Sequence, residues 1–344
     1  MPTHDDLARP RSIRIAFLAG SLCIAVMFLA LASCAGETTS PAPSAPDTAA
    51  AFPVTITHKL GTTVIPAEPT RVVALGGADA DVAVALGVRP VAMTGYFNAT
   101  DGRAPWLAPK LGTAQIEILT GGGENSESEV PLEKVAALRP DLILASQYFG
   151  IDAQYDKLSR IAPVIAYQQT QITDSWQDQT MITGRALGRV DQARRVVSEV
   201  ETKIKQVRDS HPEFQGKTAS YSFHFAPDAI QTINSTSDYV AQLLSDLGLR
   251  LAPAVTALQG DQGAQISLER IDTLDADVLI MAYASDELRT SLESNPVFRA
   301  APAVRSGHYL PVSVDAISAL RLPSVLSIPY GLDQMEPGLA KALD

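Results

Sequence analysis

The sequence predicts an α/β protein of two similar lobes with parallel sheets, joined by one long rigid α-helix and leaving a ligand cleft between them. Three observations carry that prediction. Short apolar runs alternate with amphipathic stretches through both halves, as in strands covered by helices. One thirteen-residue pattern occurs twice, LEKVAALRPDLIL from Leu132 and LERIDTLDADVLI from Leu268, with nine positions identical or conservatively replaced at an offset of 136 residues. Between the copies lies a long amphipathic stretch free of Pro and Gly.

The chain opens on a leader, residues 1–33. Arg9, Arg11 and Arg14 precede an apolar run from Ile15 to Ala32, and Leu31-Ala-Ser-Cys34 closes it. A positive region, an apolar core and small residues before a cut site form a secretory signal peptide. Cys34 directly after Leu-Ala-Ser resembles the lipobox of bacterial lipoproteins, in which that Cys is acylated, palmitate included, and becomes the mature N-terminus. The alternative is an uncleaved anchor, since about 18 apolar residues can just span a bilayer. Either way the rest of the chain is expected on the extracytoplasmic face, held to the membrane by a lipid or an anchor. Residues 34–52 are rich in Ala, Pro, Ser and Thr and read as a flexible tether.

The first lobe is assigned to residues 53–174. Its strand candidates are 71–75, 91–93, 141–145 and 163–166, apolar runs suited to burial on both faces. Leu132, Val135, Ala136 and Leu138 form one helical face, which Pro140 bars from continuing. Residues 175–211 form the connecting helices. Val190, Ala193, Val197, Val200, Ile204 and Val207 recur at spacings of three and four, predicting a helix of about 21 residues and about 31 Å. The second lobe is residues 212–344, with strand candidates at 217–225, 276–282 and 308–312.

Composition limits the function. Formal charge is −11, against the concentrated basic surface that nucleic acid requires. The only cysteines are Cys23, in the leader, and Cys34, at the expected acylation site, so the body has no thiol for a disulfide, a zinc-thiolate site or a nucleophile. His58, His211, His224 and His308 are widely spaced, unlike the converging ligands of a zinc or manganese site. There is no G-x-S-x-G and no phosphate loop, so no catalytic residues and no resident metal or cofactor are expected. A surface lipoprotein hydrolase remains the different-class alternative.

Several segments, in shared order, resemble one family: the substrate-binding proteins of iron-siderophore, haem and cobalamin ABC importers. They are RVVALGG from Arg71, LGVRPV from Leu86, the Leu132 pattern, YDKLSRIAPV from Tyr155, Ser175-Trp, Asn295-Pro-Val-Phe and Arg321-Leu-Pro. The resemblance runs from about Val54 to the end of the chain. It implies a monomer that captures a ferric siderophore or related iron chelate and passes it to ABC permease subunits. It also implies that Glu133 and Glu269, one in each copy of the repeat, dock onto the permease.

Ligands of α/β sheets bind beyond the carboxyl ends of the strands. The loops expected there supply Arg103, Arg321, Tyr148, Tyr96, Trp106 and Asn234 as ligand-binding candidates. Arginine suits an anionic chelate with aromatic faces, because its planar fork binds oxygen anions and stacks on rings. His224 is the candidate axial ligand under the alternative haem reading.

Overall fold

The computed structural model describes residues 52–119, 129–170, 173–260 and 263–344. The leader, Cys34 and nearly all of the tether lie outside these residues. The first lobe begins with an antiparallel hairpin, β1 (Val54–His58) and β2 (Gly61–Ile65). It continues through β3 (Val72–Ala74), α1 (Gly77–Ala85), β4 (Ala92–Met93), α2 (Ala108–Leu111) and β5 (Glu117–Ile118). It ends with α3 (Leu132–Ala137), β6 (Leu142–Leu144), α4 (Ile151–Leu158) and β7 (Val164–Ile165). Its sheet has the order β5-β4-β3-β6-β7 and is parallel throughout. Val72, Val73, Ala74, Leu142, Ile143 and Leu144 are all at 0% exposure, as expected where helices cover both faces.

Two helices lead out of this lobe, α5 (Trp176–Ala186) and α6 (Val190–Ser210). The Ser175 hydroxyl caps α5 by accepting from Asp178 N–H. The bounds of α6 match the predicted helix, with Ala193, Val200, Ile204 and Val207 buried. It is tied at both ends. Gln192 Nε2 donates to Ala85 O of α1 at 3.0 Å. Farther along, Lys203 pairs with Asp333 at 2.8 Å, on α13 (Ser327–Leu343). One apolar core runs from the first sheet through Trp176, Leu187 and the α6 face into the second lobe. The connector is therefore a packed wall, which restrains hinge motion more than an isolated rod would.

The second lobe runs β8 (Thr218–Ala226), β9 (Ala229–Thr232), α7 (Tyr239–Asp246), β10 (Arg250–Leu251), α8 (Pro253–Thr256) and β11 (Ala264–Ile266). After β12 (Val278–Tyr283) come α9 (Asp286–Ser294), α10 (Pro296–Ala300) and α11 (Pro302–Arg305), then β13 (Tyr309–Val312), α12 (Val314–Arg321) and α13. Here the structure corrects the expectation of a purely parallel sheet. The order is β11-β9-β8-β12-β13 with β10 beside the start of β8, and β9 runs antiparallel to both its neighbours. The two-residue turn Pro227-Asp228 reverses the chain, a turn signal that the extended run of β8 obscured.

The repeat has a structural meaning. In each copy its Asp clamps the first residues of the neighbouring strand. Asp141 accepts from Thr70 N and Oγ1 and from Arg71 N, each at 2.8 Å. Asp277 accepts from Thr218 N and Oγ1, again at 2.8 Å, and these bonds hold its carboxyl below the usual aspartate range. The copies diverge at their helices. The first is α3, whereas Leu268–Leu274 forms a 3-10 segment with a non-helical Arg270. Asp272 and Thr273 stand where the first copy has two alanines, and both are poorer helix formers.

Candidate ligand cleft

The carboxyl ends of β3, β4 and β6 face the Arg321 end of α12 across a cleft. Three adjoining cavities fill it, of about 220, 200 and 120 Å³, together within the range of roughly 300–1,000 Å³ found for ligand clefts. Each is lined from both lobes. Phe97 borders the first two, Phe149 the first and third, and Arg321 all three. Phe97 and Phe149 are 44% and 46% exposed, apolar rims in a position where isolated phenylalanines are usually covered.

The floor on the first lobe is organised by two buried carboxylates of α1. Asp79 accepts from Gly76 N at 3.0 Å and reaches the N–H groups of Ser146 and Gln147. It thereby fastens the loop after β3 to the loop after β6. Burial pushes its carboxyl up to about 6, against the lowering effect of those donors. Gly76 is required here, because a Cβ would stand 2.8 Å from the Gln147 carbonyl carbon. Asp81 accepts from Trp106 Nε1 at 2.8 Å and from Ser324 Oγ at 2.6 Å, so one carboxylate links the lobes. Desolvation is the main reason its carboxyl rises to about 7, with neighbouring Asp79 adding to it. A second link lies beside it, where Tyr96 Oη and Asn98 Nδ2 both donate to Asp315 Oδ1 at 2.9 and 2.8 Å.

Of the residues expected from sequence, Arg321, Tyr96, Trp106 and Tyr148 line the first cavity and Asn234 the third. Trp106 stacks edge-on to Tyr96 at 5.3 Å. Tyr148 presents ring rather than hydroxyl, since its Oη accepts from Val130 N and donates to Gln154 Oε1. Asn234 donates its amide to Leu258 O and Gly260 O, both at 3.0 Å.

Two expectations are corrected. Arg103 borders none of the three cavities. Its guanidinium is spent on Gly112 O at 2.7 Å and Ala114 O at 2.6 Å, with Asp101 at 3.8 Å, so it staples the loop around α2. His224 lies two and four residues from Ser222 and Ser220 on β8, on the opposite face from Tyr221 and Phe223 by strand alternation. It is 1% exposed, edge-on to Tyr283 at 5.9 Å, and desolvation lowers its pKa. It borders none of the three cavities. Glu133 and Glu269 are both exposed, each in the first turn of its copy of the repeat.

Sequence reasoning placed the Gln147–Phe149 loop at the cleft but missed Asp79 and Asp81. The signal for Asp79 was present, as an acid three residues after a glycine pair at a helix start. Among the described residues, no group of three His, Cys, Asp or Glu side chains is placed to hold a metal ion.

A sequence profile of the periplasmic binding protein family matches residues 72–310. The chain belongs to this family. Similar periplasmic binding proteins include a periplasmic solute-binding protein from Mycobacterium smegmatis. That structure is 32% identical, with a TM-score of 0.74 over 85% of this chain and 99% of the other. The iron-uptake ABC transporter substrate-binding protein of Streptococcus pneumoniae is 26% identical, with a TM-score of 0.68 over 84% and 99%. A relative named a probable siderophore-binding lipoprotein, from Bacillus subtilis, is 24% identical and spans 82% of this chain and 86% of its own length. The two solved structures share the two-lobed arrangement around a long helix.

Proposed function

We propose that this binding protein captures a ferric siderophore outside the cytoplasmic membrane and delivers it to an ABC permease. The observation that supports this most directly is the cleft itself: three joined cavities between lobes, walled by aromatic rings and meeting at Arg321. Iron uptake and siderophore binding are what the similar proteins are named for. The chelate is cargo and no resident cofactor is involved. Acylation of Cys34 anchors the chain, residues 34–52 let its body swing, and Glu133 and Glu269 meet the permease as a monomer docks.

The test uses the two tryptophans of the chain. Trp176 is in the core and Trp106 in the cleft, so Trp176→Phe leaves one reporter at the site. Titrating the full-length variant in detergent with ferric hydroxamate, catecholate and citrate chelates should quench Trp106 emission saturably for at least one. Silence across all three, with the fold intact by circular dichroism, would sink the proposal. Labelled palmitate should enter the wild-type chain in cells and not the Cys34→Ser variant.

A further inference from the structure

The charges around the cleft narrow the cargo, on the reading that the cargo is a ferric siderophore. Among the described residues lining the three cavities, Arg321 is the only Lys or Arg. The internal segments outside the described residues, 120–128, 171–172 and 261–262, contain no Lys or Arg in sequence. Arg321 is itself balanced by Asp238, 3.9 Å away, and Asp238 lines the same cavity. Asp81 lines the first cavity, and Asp315 stands just behind the Tyr96 wall. The cleft therefore offers an approaching anion no net positive charge.

What it offers instead is apolar surface and neutral hydrogen bonding. Phe97, Trp106, Phe149 and Phe223 supply ring faces and edges. Gln147 is 3% exposed and lines the first cavity, and neither atom of its amide makes a hydrogen bond of ordinary geometry, with the Tyr239 hydroxyl as its polar neighbour. A buried amide without strong partners costs free energy that a ligand carbonyl or N–H can recover. We infer that the cleft selects an uncharged ferric chelate, a trishydroxamate, over the anionic catecholate and citrate complexes. Three hydroxamates neutralise ferric iron and leave amide-like oxygens and an apolar rim, whereas three catecholates leave a trianion. Moving a trianion from water into a closed cleft with no net cation is strongly opposed.

Asp238→Asn is the diagnostic variant. Asn caps α7 as well as Asp does, so the N-cap bond to Val240 N is kept while Arg321 loses its counter-charge. The wild-type chain should bind ferrichrome, as a neutral trishydroxamate, at least about tenfold more tightly than ferric enterobactin, a gap of about 1.4 kcal/mol. Its ferrichrome affinity should change little between low and high salt. In Asp238→Asn the affinity for the catecholate relative to ferrichrome should rise by up to about fivefold, the upper range for a part-exposed ion pair. Tighter binding of ferric enterobactin or ferric citrate than of ferrichrome would overturn the inference and leave the siderophore proposal standing. Failure of every ferric chelate to bind would overturn both.

Discussion

The two lobes share a plan and differ at the edge where they meet. Each contains a buried strand, β3 in one and β8 in the other, whose start is clamped by the repeat aspartate, Asp141 in one and Asp277 in the other. Both present an exposed glutamate one residue into the repeat. Above those strands they part. The first lobe brings two buried carboxylates and five rings, from Tyr96 to Phe149, to the cleft. The second brings one arginine, held by its own aspartate, the rings of Tyr221, Phe223 and Tyr239, and a polar stretch at Asn234 to Ser237. The repeat thus governs how each lobe is built, whereas the cavities are lined by segments outside it.

If the outward symmetry serves a two-fold partner, removing both glutamates is the largest perturbation available. Glu133→Ala with Glu269→Ala should reduce cellular uptake of the cargo by orders of magnitude while its affinity for the purified chain stays within about twofold. Each single variant should be intermediate. Uptake at the wild-type rate in the double variant would show that the paired glutamates are only helix-terminal charges, favoured by the local dipole.

The inward asymmetry depends on a close approach in the first lobe. A methyl at Gly76 would meet the Gln147 carbonyl carbon at 2.8 Å, whereas at Gly77 nothing lies within 4 Å. Gly76→Ala should cost about 1–3 kcal/mol, as overpacking against backbone does, and should weaken cargo binding through the displaced Gln147. Gly77→Ala, one residue on in α1, should be neutral or slightly stabilising. Urea unfolding of the pair measures the contrast. Equal midpoints would mean that the loops after β3 and β6 can separate without loss.

Legibility in the sequence followed the same division. Strands β3, β4, β6, β7, β8, β12 and β13 and helix α6 were visible because their apolar residues run together or recur at a regular spacing. The hairpin of β1 and β2 was not, since Thr55, Thr57, Thr62 and Thr63 dilute its pattern, nor was β9 behind its short turn. In the site, aromatic residues at strand ends were found because their position alone marks them. Arg103 misled because a loop arginine looks the same whether it faces a ligand or caps carbonyls. Asp81 was invisible because its value lies in a partner 243 residues away, Ser324.

That partner makes the smallest predicted effect also the most specific to the lobe junction. Asp81 is raised to about 7 in the folded chain, against about 3.9 for a free aspartate. Between those values the folded state binds more protons than the unfolded one, so stability falls as pH rises from about 4 to about 7. Asn cannot titrate, yet its side-chain oxygen can accept from Trp106 and Ser324 as the carboxylate does. The melting temperature of Asp81→Asn relative to the parent should therefore be lowest near pH 4 and climb by a few degrees toward pH 8. Asp79, raised to about 6, titrates in both proteins and cancels to first order in the difference. A difference that stays flat with pH would mean that solvent reaches Asp81 and that the lobes are joined there by an ordinary surface contact. A rising difference would place an uncompensated charge at the seam between lobes that are otherwise built alike, carried by one lobe and shared through a single serine of the other.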